Sequence, residues 1–465
     1  MPEHNERHYP PRRRKKQQFN FLPLIFILVA VLLATVFIAV LLHMGSAGPV
    51  DETTGPVLQT TAPTKPTEPL PTPPPTEPPI TVTGTATIGA TGDILMHMPT
   101  VRPAAVGDGT YNFDHYFANF SSYVQAVDYA VANLETTLAG TDNGYQYSGY
   151  PNFNCPDGIV TSLRTAGFDM LLTANNHTYD TRTIGFFRTQ EIIAQNGMDH
   201  IGTKPDEETD SYLIKNINGI SVGMICYTYE TNDAPDKVNL NGGANLKENE
   251  KSLINVFLKD DVAGFSADLQ ENITDMKADG AEAIVLYIHW GEEYQTKQNS
   301  QQKAMAQAAC DLGVDVIVGG HPHVIQPIDL LTSTTDEGHK TVCLYSTGNA
   351  MSNQRLGNIS YVKTAHTEDG IFFKFSFVKY SDGTVRVESV EALPLWVNLY
   401  TSSQTQKKVY DILPLDQDLE DWKTAFALTD STLSQAQASY NRTMKIIGDG
   451  LEKVNEYLAS LPEIE

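Results

Sequence analysis

The sequence predicts an α/β domain, and three observations carry the prediction. Short runs rich in β-branched and aromatic side chains alternate with helix-like stretches, as when strands are joined through helices. Nearly every one of these runs ends in a polar side chain able to bind metal, and α/β proteins build sites at the carboxyl ends of their strands. The chain has 465 residues, 41% of them hydrophobic, which is enough for one large domain or two ordinary ones.

In chain order, strands are expected at TATIGATGDI, DYAVANLE, DMLLTANN, SVGMICY, AIVLYIHW, DVIVGGH and TVCLYSTGN, with helices over Gly185 to Asn196 and Ser300 to Leu312. Farther on, GIFFKFSFVKYSDGTVRVESVEALPLWV alternates around SDGT as a β-hairpin with an Asp-Gly turn. The tail from Asp418 reads as helical. Residues 81–398 are therefore expected to form the main domain and residues 399–465 a helical extension.

The N-terminal part is different in kind. Residues 1–18 are basic through Arg12, Arg13, Arg14, Lys15 and Lys16, whereas the whole chain carries a formal charge of −24. The acidity lies downstream, which argues against a nucleic-acid or anionic-membrane surface on the main body. From Phe19 to Leu42 the chain is predominantly apolar and uncharged, long enough at about 1.5 Å per residue to cross about 30 Å of hydrocarbon. GSAG follows as a small-residue cleavage site would, but the run exceeds the roughly 7–15 apolar residues of a cleaved signal. Residues 19–43 are read as a single-pass signal anchor in the cell membrane. Its basic flank stays in the cytoplasm and the remainder faces outward. Residues 44–80 form a Pro/Thr linker, expected as extended polyproline II.

Cys155, Cys226, Cys310 and Cys343 show no CxxC spacing. Three disulfide pairings are open to them, but Cys226 and Cys343 lie inside strand-like runs, so buried thiols are expected.

The strand ends supply the candidate site. GATGDILMH offers Asp93 and His97, VANLETTL offers Asn133 and Glu135, and TANNHTYD offers Asn175, Asn176 and His177. IHWGEEY offers His289, and GGHPHV offers His321 and His323. Each has an ordinary explanation: Asp93 as a turn residue or helix cap, Asn175 and Asn176 in a turn, His289 as a core histidine, Glu135 as a surface charge. Their coincidence at carboxyl strand ends favours a metal centre. Carboxylate, amide and imidazole together suit Mn, Zn or Fe better than a thiolate site would.

The ordered series GD…NLE…ANNH…HWGEEY…GGHPHV…YSTGN resembles the CapA-type capsule-synthesis proteins, a family associated with poly-γ-glutamate and related to calcineurin-like metallophosphoesterases. The resemblance covers about Thr85 to Trp396. It implies a four-layer αββα sandwich with two divalent ions at the strand ends. By that resemblance Asp93 and His323, joined by His97, would hold the first ion. Asn176, His289 and His321 would hold the second, Glu135 would bridge, and His177 would protonate a leaving oxygen. Asn133, Asn175, Trp290, Glu292, Tyr294 and Asn349 would contact substrate or support the ligands. Glu135 replaces the usual bridging aspartate, and the Gly-Asp-x-x-Asp spacing is absent. Two function classes follow: an envelope metallohydrolase acting on a phosphoester or an anionic polymer, or a polymer-binding assembly or export factor in the envelope polymer-synthesis machinery.

Overall fold

The computed structural model describes residues 79–231, 238–358, 360, 362–403, 406–416 and 418–462. The expected basic segment, the membrane anchor and the linker up to residue 78 lie outside the described residues. Among the described residues no helix is long and apolar enough to cross a membrane.

The first half alternates strand and helix. β1 (Val82–Leu95) leads to β2 (Tyr129–Leu134), α1 (Gly158–Ala166), β3 (Met170–Leu172), α2 (Arg182–Gln195) and β4 (Asp199–Ile201). Then come β5 (Tyr212–Ile217), β6 (Ile220–Glu230), β7 (Val256–Leu258), α3 (Val262–Ala278), β8 (Ala283–His289), α4 (Ser300–Asp311) and β9 (Val316–Gly320). The rest comprises β10 (Ile328–Thr332), β11 (Lys340–Leu344), β12 (Asn349–Ser352), β13 (Asp369–Tyr380), β14 (Val385–Thr401), β15 (Lys408–Pro414), α5 (Leu419–Ala425) and α6 (Asp430–Ser460).

Two mixed sheets result. The first runs β15-β14-β13-β1-β2-β3-β4, with β12 also beside β1, and β1 through β4 are parallel. The second runs β7-β6-β8-β9-β11-β10, with β5 also on β6, and is parallel from β7 to β11. Period-two alternation decides what each face meets. On β1, Ala86, Ile88 and Ala90 enter a core shared with Val285 and Tyr287 of β8 and Met224 and Cys226 of β6. The opposite phase of β8, Ile284, Leu286 and Ile288, packs under Phe265, Leu269 and Ile273 of α3 and Met305 of α4. On the far side Ile159 and Leu163 of α1 cover Ala130, Ala132 and Leu171. Each such buried side chain contributes about 1.5–3 kcal/mol. Asn299 caps α4 through a reciprocal box with Gln302.

The predicted hairpin is present, with Gly383 at φ 91 in the turn between β13 and β14. All four cysteines are buried and free. One expectation is corrected: residues 399–465 are not a helical extension throughout. β14 crosses 398/399 and β15 follows, pairing Leu395 to Thr401 with Lys408 to Pro414, so the sheet needs this segment to complete its edge. Helix begins only at Leu419. The long α6 then lays Ile447, Val454 and Leu458 into the shared core. A Cβ on Gly450 would stand 2.0 Å from the Ile328 carbonyl oxygen, so only glycine permits that approach.

Candidate metal centre

Because β1, β2, β3, β8 and β9 point the same way within their sheets, their carboxyl ends share one edge, and the expected side chains gather there. A Cβ on Gly92 would lie 1.8 Å from the Gly348 oxygen, so its absence lets the strands close up. The Asp93 amide donates to that oxygen at 3.1 Å, and Asp93 stands in register with Asn349.

Two groups of side chains form with Glu135 common to both: Asp93, Glu135 and His323 in one, and Glu135, His289 and His321 in the other, all buried. His323 Nδ1 lies 3.0 Å from Asp93 Oδ2 and 3.8 Å from Glu135 Oε2. His289 Nε2 lies 3.4 Å from Glu135 Oε1 and 2.9 Å from Asn176 Oδ1. Asn133 donates to Asp93 Oδ1 at 2.8 Å, and Asn175 donates to Asn133 Oδ1 at 3.2 Å. Both histidines of the turn after β9 have left-handed backbone, His321 at φ 94 and His323 at φ 55. Such residues cost of order 1–3 kcal/mol each and cluster at functional sites.

The electrostatics suit the binding of a cation. Both carboxylate oxygens of Glu135 are buried without a hydrogen-bond partner, as is His321 Nδ1. Burial, then the charges of Asp93 and Glu293, holds Glu135 well above the usual carboxylate range. Burial lowers His289 to about 3 and puts His321 well below the usual histidine range, with His289 and His323 adding to the latter. Burial thus disfavours the charged form of both partners in the 3.4 Å contact between His289 and Glu135. Asp93 and His323 behave oppositely. Burial opposes both charges, but their mutual hydrogen bond and attraction lower Asp93 and raise His323.

His177 stands beside these groups. Its Nδ1 is 2.7 Å from Asp180 Oδ2, and its amide donates to Asn175 Oδ1 at 3.1 Å. Asp180 also accepts from the Phe153 amide at 2.6 Å.

Other expected residues sit differently. His97 joins neither group: its Nδ1 lies 3.2 Å from the Leu95 oxygen, its ring meets Phe153 edge-on, and burial lowers it to about 4. Trp290 points away from the site into the cluster under α3 and α4, where its Nε1 donates to the Tyr345 oxygen at 2.9 Å. Glu292 is exposed and paired with Lys259 at 2.5 Å. Tyr294 reaches the rim, its ring 6.2 Å from His323 and its hydroxyl accepting from Gln354. Asn349 Oδ1 lies 3.2 Å from His323 Nδ1. Asp180 was not singled out in the sequence, although a carboxylate three residues after His177 in NNHTYD was a readable signal. Tyr229, whose ring lies 4.8 Å from that of His321, had no such signal.

The chain is 26% identical over 280 residues to the capsule biosynthesis protein CapA of Bacillus anthracis, covering 58% of this chain and 60% of that protein's length. It is 26% identical over 331 residues to the PGA biosynthesis protein CapA of Bacillus subtilis (strain 168), covering 68% and 77% respectively. A crystal structure described as a candidate 5'-nucleotidase from Staphylococcus aureus, in complex with alpha-ketoglutarate, aligns with a TM-score of 0.40 and 12% identity over 77% of this chain and 58% of that one. Residues 87–354, more than half of the chain, match the family described as bacterial capsule synthesis protein PGA_cap, and the chain belongs to that family.

Proposed function

We propose that the chain is a membrane-anchored, extracytoplasmic hydrolase or transferase of metallophosphoesterase-like, four-layer αββα fold. In this reading it uses two divalent ions, Mn, Zn or Fe, in capsule, poly-γ-glutamate or other envelope-polymer metabolism. Its substrate is a phosphoester or an amide-linked anionic polymer, and its setting is the envelope polymer-synthesis machinery. The observation that carries the reading is Glu135, a fully buried carboxylate with neither oxygen hydrogen-bonded, shared by two histidine-containing groups. An unpaired buried charge is costly, and a cation on either side offsets that cost.

Asp93, Glu135 and His323 would hold one ion, and Glu135, Asn176, His289 and His321 the other. A divalent pair supplies Lewis acidity, lowering the pKa of a bound water and neutralising charge on substrate oxygens. The side chains do the rest. Asn133 and Asn175 fix the carboxylate and the NNH turn by hydrogen bonds. Asp180 holds the His177 Nδ1 edge, which leaves Nε2 to deliver a proton to the departing oxygen. Metal analysis of the purified protein, with turnover assays on a generic phosphodiester and on poly-γ-glutamate, tests this reading. Two ions and turnover are expected, and a wild type with neither refutes it.

The anchor rests on the uncharged run from Phe19 to Leu42 behind its basic flank. Protease added outside intact cells should release the domain, and protection would refute the outward orientation. A second reading, a polymer-binding assembly or export factor without turnover, is favoured by the two CapA relatives, both named for biosynthesis. Two bound ions with polymer binding and no hydrolysis would select it.

A further inference from the structure

We propose that Asn349 is a metal ligand, supplying its side-chain oxygen to the ion held by Asp93, Glu135 and His323. The inference rests on the metal reading above and concerns a side chain far along the chain from the histidine motifs.

The orientation of the Asn349 amide is decided by its nitrogen. Nδ2 faces three acceptors, the carbonyl oxygens of Thr367 at 2.9 Å and His323 at 3.3 Å and Gln354 Oε1 at 3.0 Å. Two of these are main-chain carbonyls, which can only accept, so the amide is not reversible in place. Oδ1 is thereby turned toward His323 Nδ1, 3.2 Å away, the same nitrogen that faces Asp93 Oδ2 at 3.0 Å and Glu135 Oε2 at 3.8 Å. In parallel β1 and β12, Asp93 and Asn349 are register partners, so their side chains project to one face. Asn349 is fully buried.

The assignment also balances the two groups. Asn176 Oδ1 stands 2.9 Å from His289 Nε2 in the second group, and Asn349 Oδ1 occupies the corresponding place beside His323 in the first. Each group then has four protein donors, three oxygens and one imidazole nitrogen in the first and two of each in the second, mixed donor sets suited to Mn, Fe or Zn. Gln354, bonded in turn to the Tyr294 hydroxyl at 3.2 Å, holds the amide in that pose.

Two variants separate a ligand from a mere support of His323. Asn349→Ala removes the oxygen and the donors together, whereas Asn349→Asp keeps an oxygen in place, adds a negative charge beside the ion and exchanges the donors for a second acceptor oxygen. Binding of Mn²⁺ and Co²⁺ to the metal-stripped protein is measured by calorimetry, and the Co²⁺ absorption spectrum is recorded at one and two equivalents. As a ligand, Asn349→Ala weakens one of the two ions about tenfold or more and changes the spectrum of that site, while Asn349→Asp binds as tightly as wild type or tighter. If both variants weaken alike, Asn349 acts only through its hydrogen bonds and the proposal is overturned. It is overturned equally if Asn349→Ala binds both ions with unchanged affinity and spectrum. A wild type that binds no ion at all overturns the metal reading itself, a different result from two ions in both wild type and variant.

Discussion

Glu135→Gln should change stability in opposite directions with and without metal. In the stripped protein the Glu135 carboxylate is buried, unbonded and pushed well above its usual range by burial and by Asp93. A raised folded pKa means the neutral form is favoured. The destabilisation is absent below the unfolded value, grows as pH rises, and is present at neutral pH. Gln keeps the shape and discards the charge, so the stripped variant should gain on the order of 1–3 kcal/mol at pH 7. With metal at a hundred times its dissociation constant, each site adds about 2.7 kcal/mol to the wild type, and a hundredfold loss of affinity reduces that to about 0.4 kcal/mol. Urea unfolding at pH 7, with chelator and with Mn²⁺, reads both effects. A variant that is less stable than wild type in chelator, or whose gain from Mn²⁺ is unchanged, would show that Glu135 is an ordinary buried acid and bridges nothing.

Removing the proposed proton donor should separate chemistry from binding: His177→Ala is expected to keep two ions and its thermal midpoint while turnover falls about 10²–10⁴-fold. An early melt with lost metal would instead make His177 a structural residue. Asp411, on β15, has Oδ1 buried without a partner, and burial raises it to about 6. Its charge therefore costs nothing below about pH 4 and is fully unfavourable above about pH 6. Asp411→Asn should gain about 1–2 kcal/mol over wild type as pH rises through that window, allowing for partial exposure, and a difference that stays flat from pH 4 to 7 would contradict the assignment.

How much of this was legible depends on which residues carried a local signal. The strand ends were readable because apolar runs stop at Asp93, Glu135, His289 and His321, groups that each have an ordinary explanation alone but coincide at one kind of position. Trp290 was misread for want of a parity argument the sequence did contain. Ile284, Leu286 and Ile288 form the outward phase of β8, and residue 290 shares it, whereas His289 shares the inward phase of Val285 and Tyr287. β15 was missed for a different reason. The segment before it, YTSSQTQKK, is polar and lacks an Asn-Gly or Asp-Gly turn, and the strand is defined by pairing with β14 rather than by its own composition. His97 had the right residue type at a strand end, but Leu95 and Phe153 hold it, contacts that no local pattern announces.

The burial of this cluster also sets how a cation would compete with protons there. Burial, which lowers His289 to about 3 and His321 well below the usual range, favours the neutral imidazoles that can coordinate without losing a proton. Glu135 is the opposite case, a carboxyl that favours its proton until a cation replaces it. In the two-ion reading, binding at neutral pH should therefore release protons chiefly from Glu135 and not from these histidines, which ties occupancy of the two groups to one titrating side chain. Because that side chain belongs to both groups, an ion held by one of them would favour the ionised form of Glu135 for the other. The two ions are then expected to bind with positive cooperativity that weakens as pH rises and Glu135 no longer needs a cation to lose its proton.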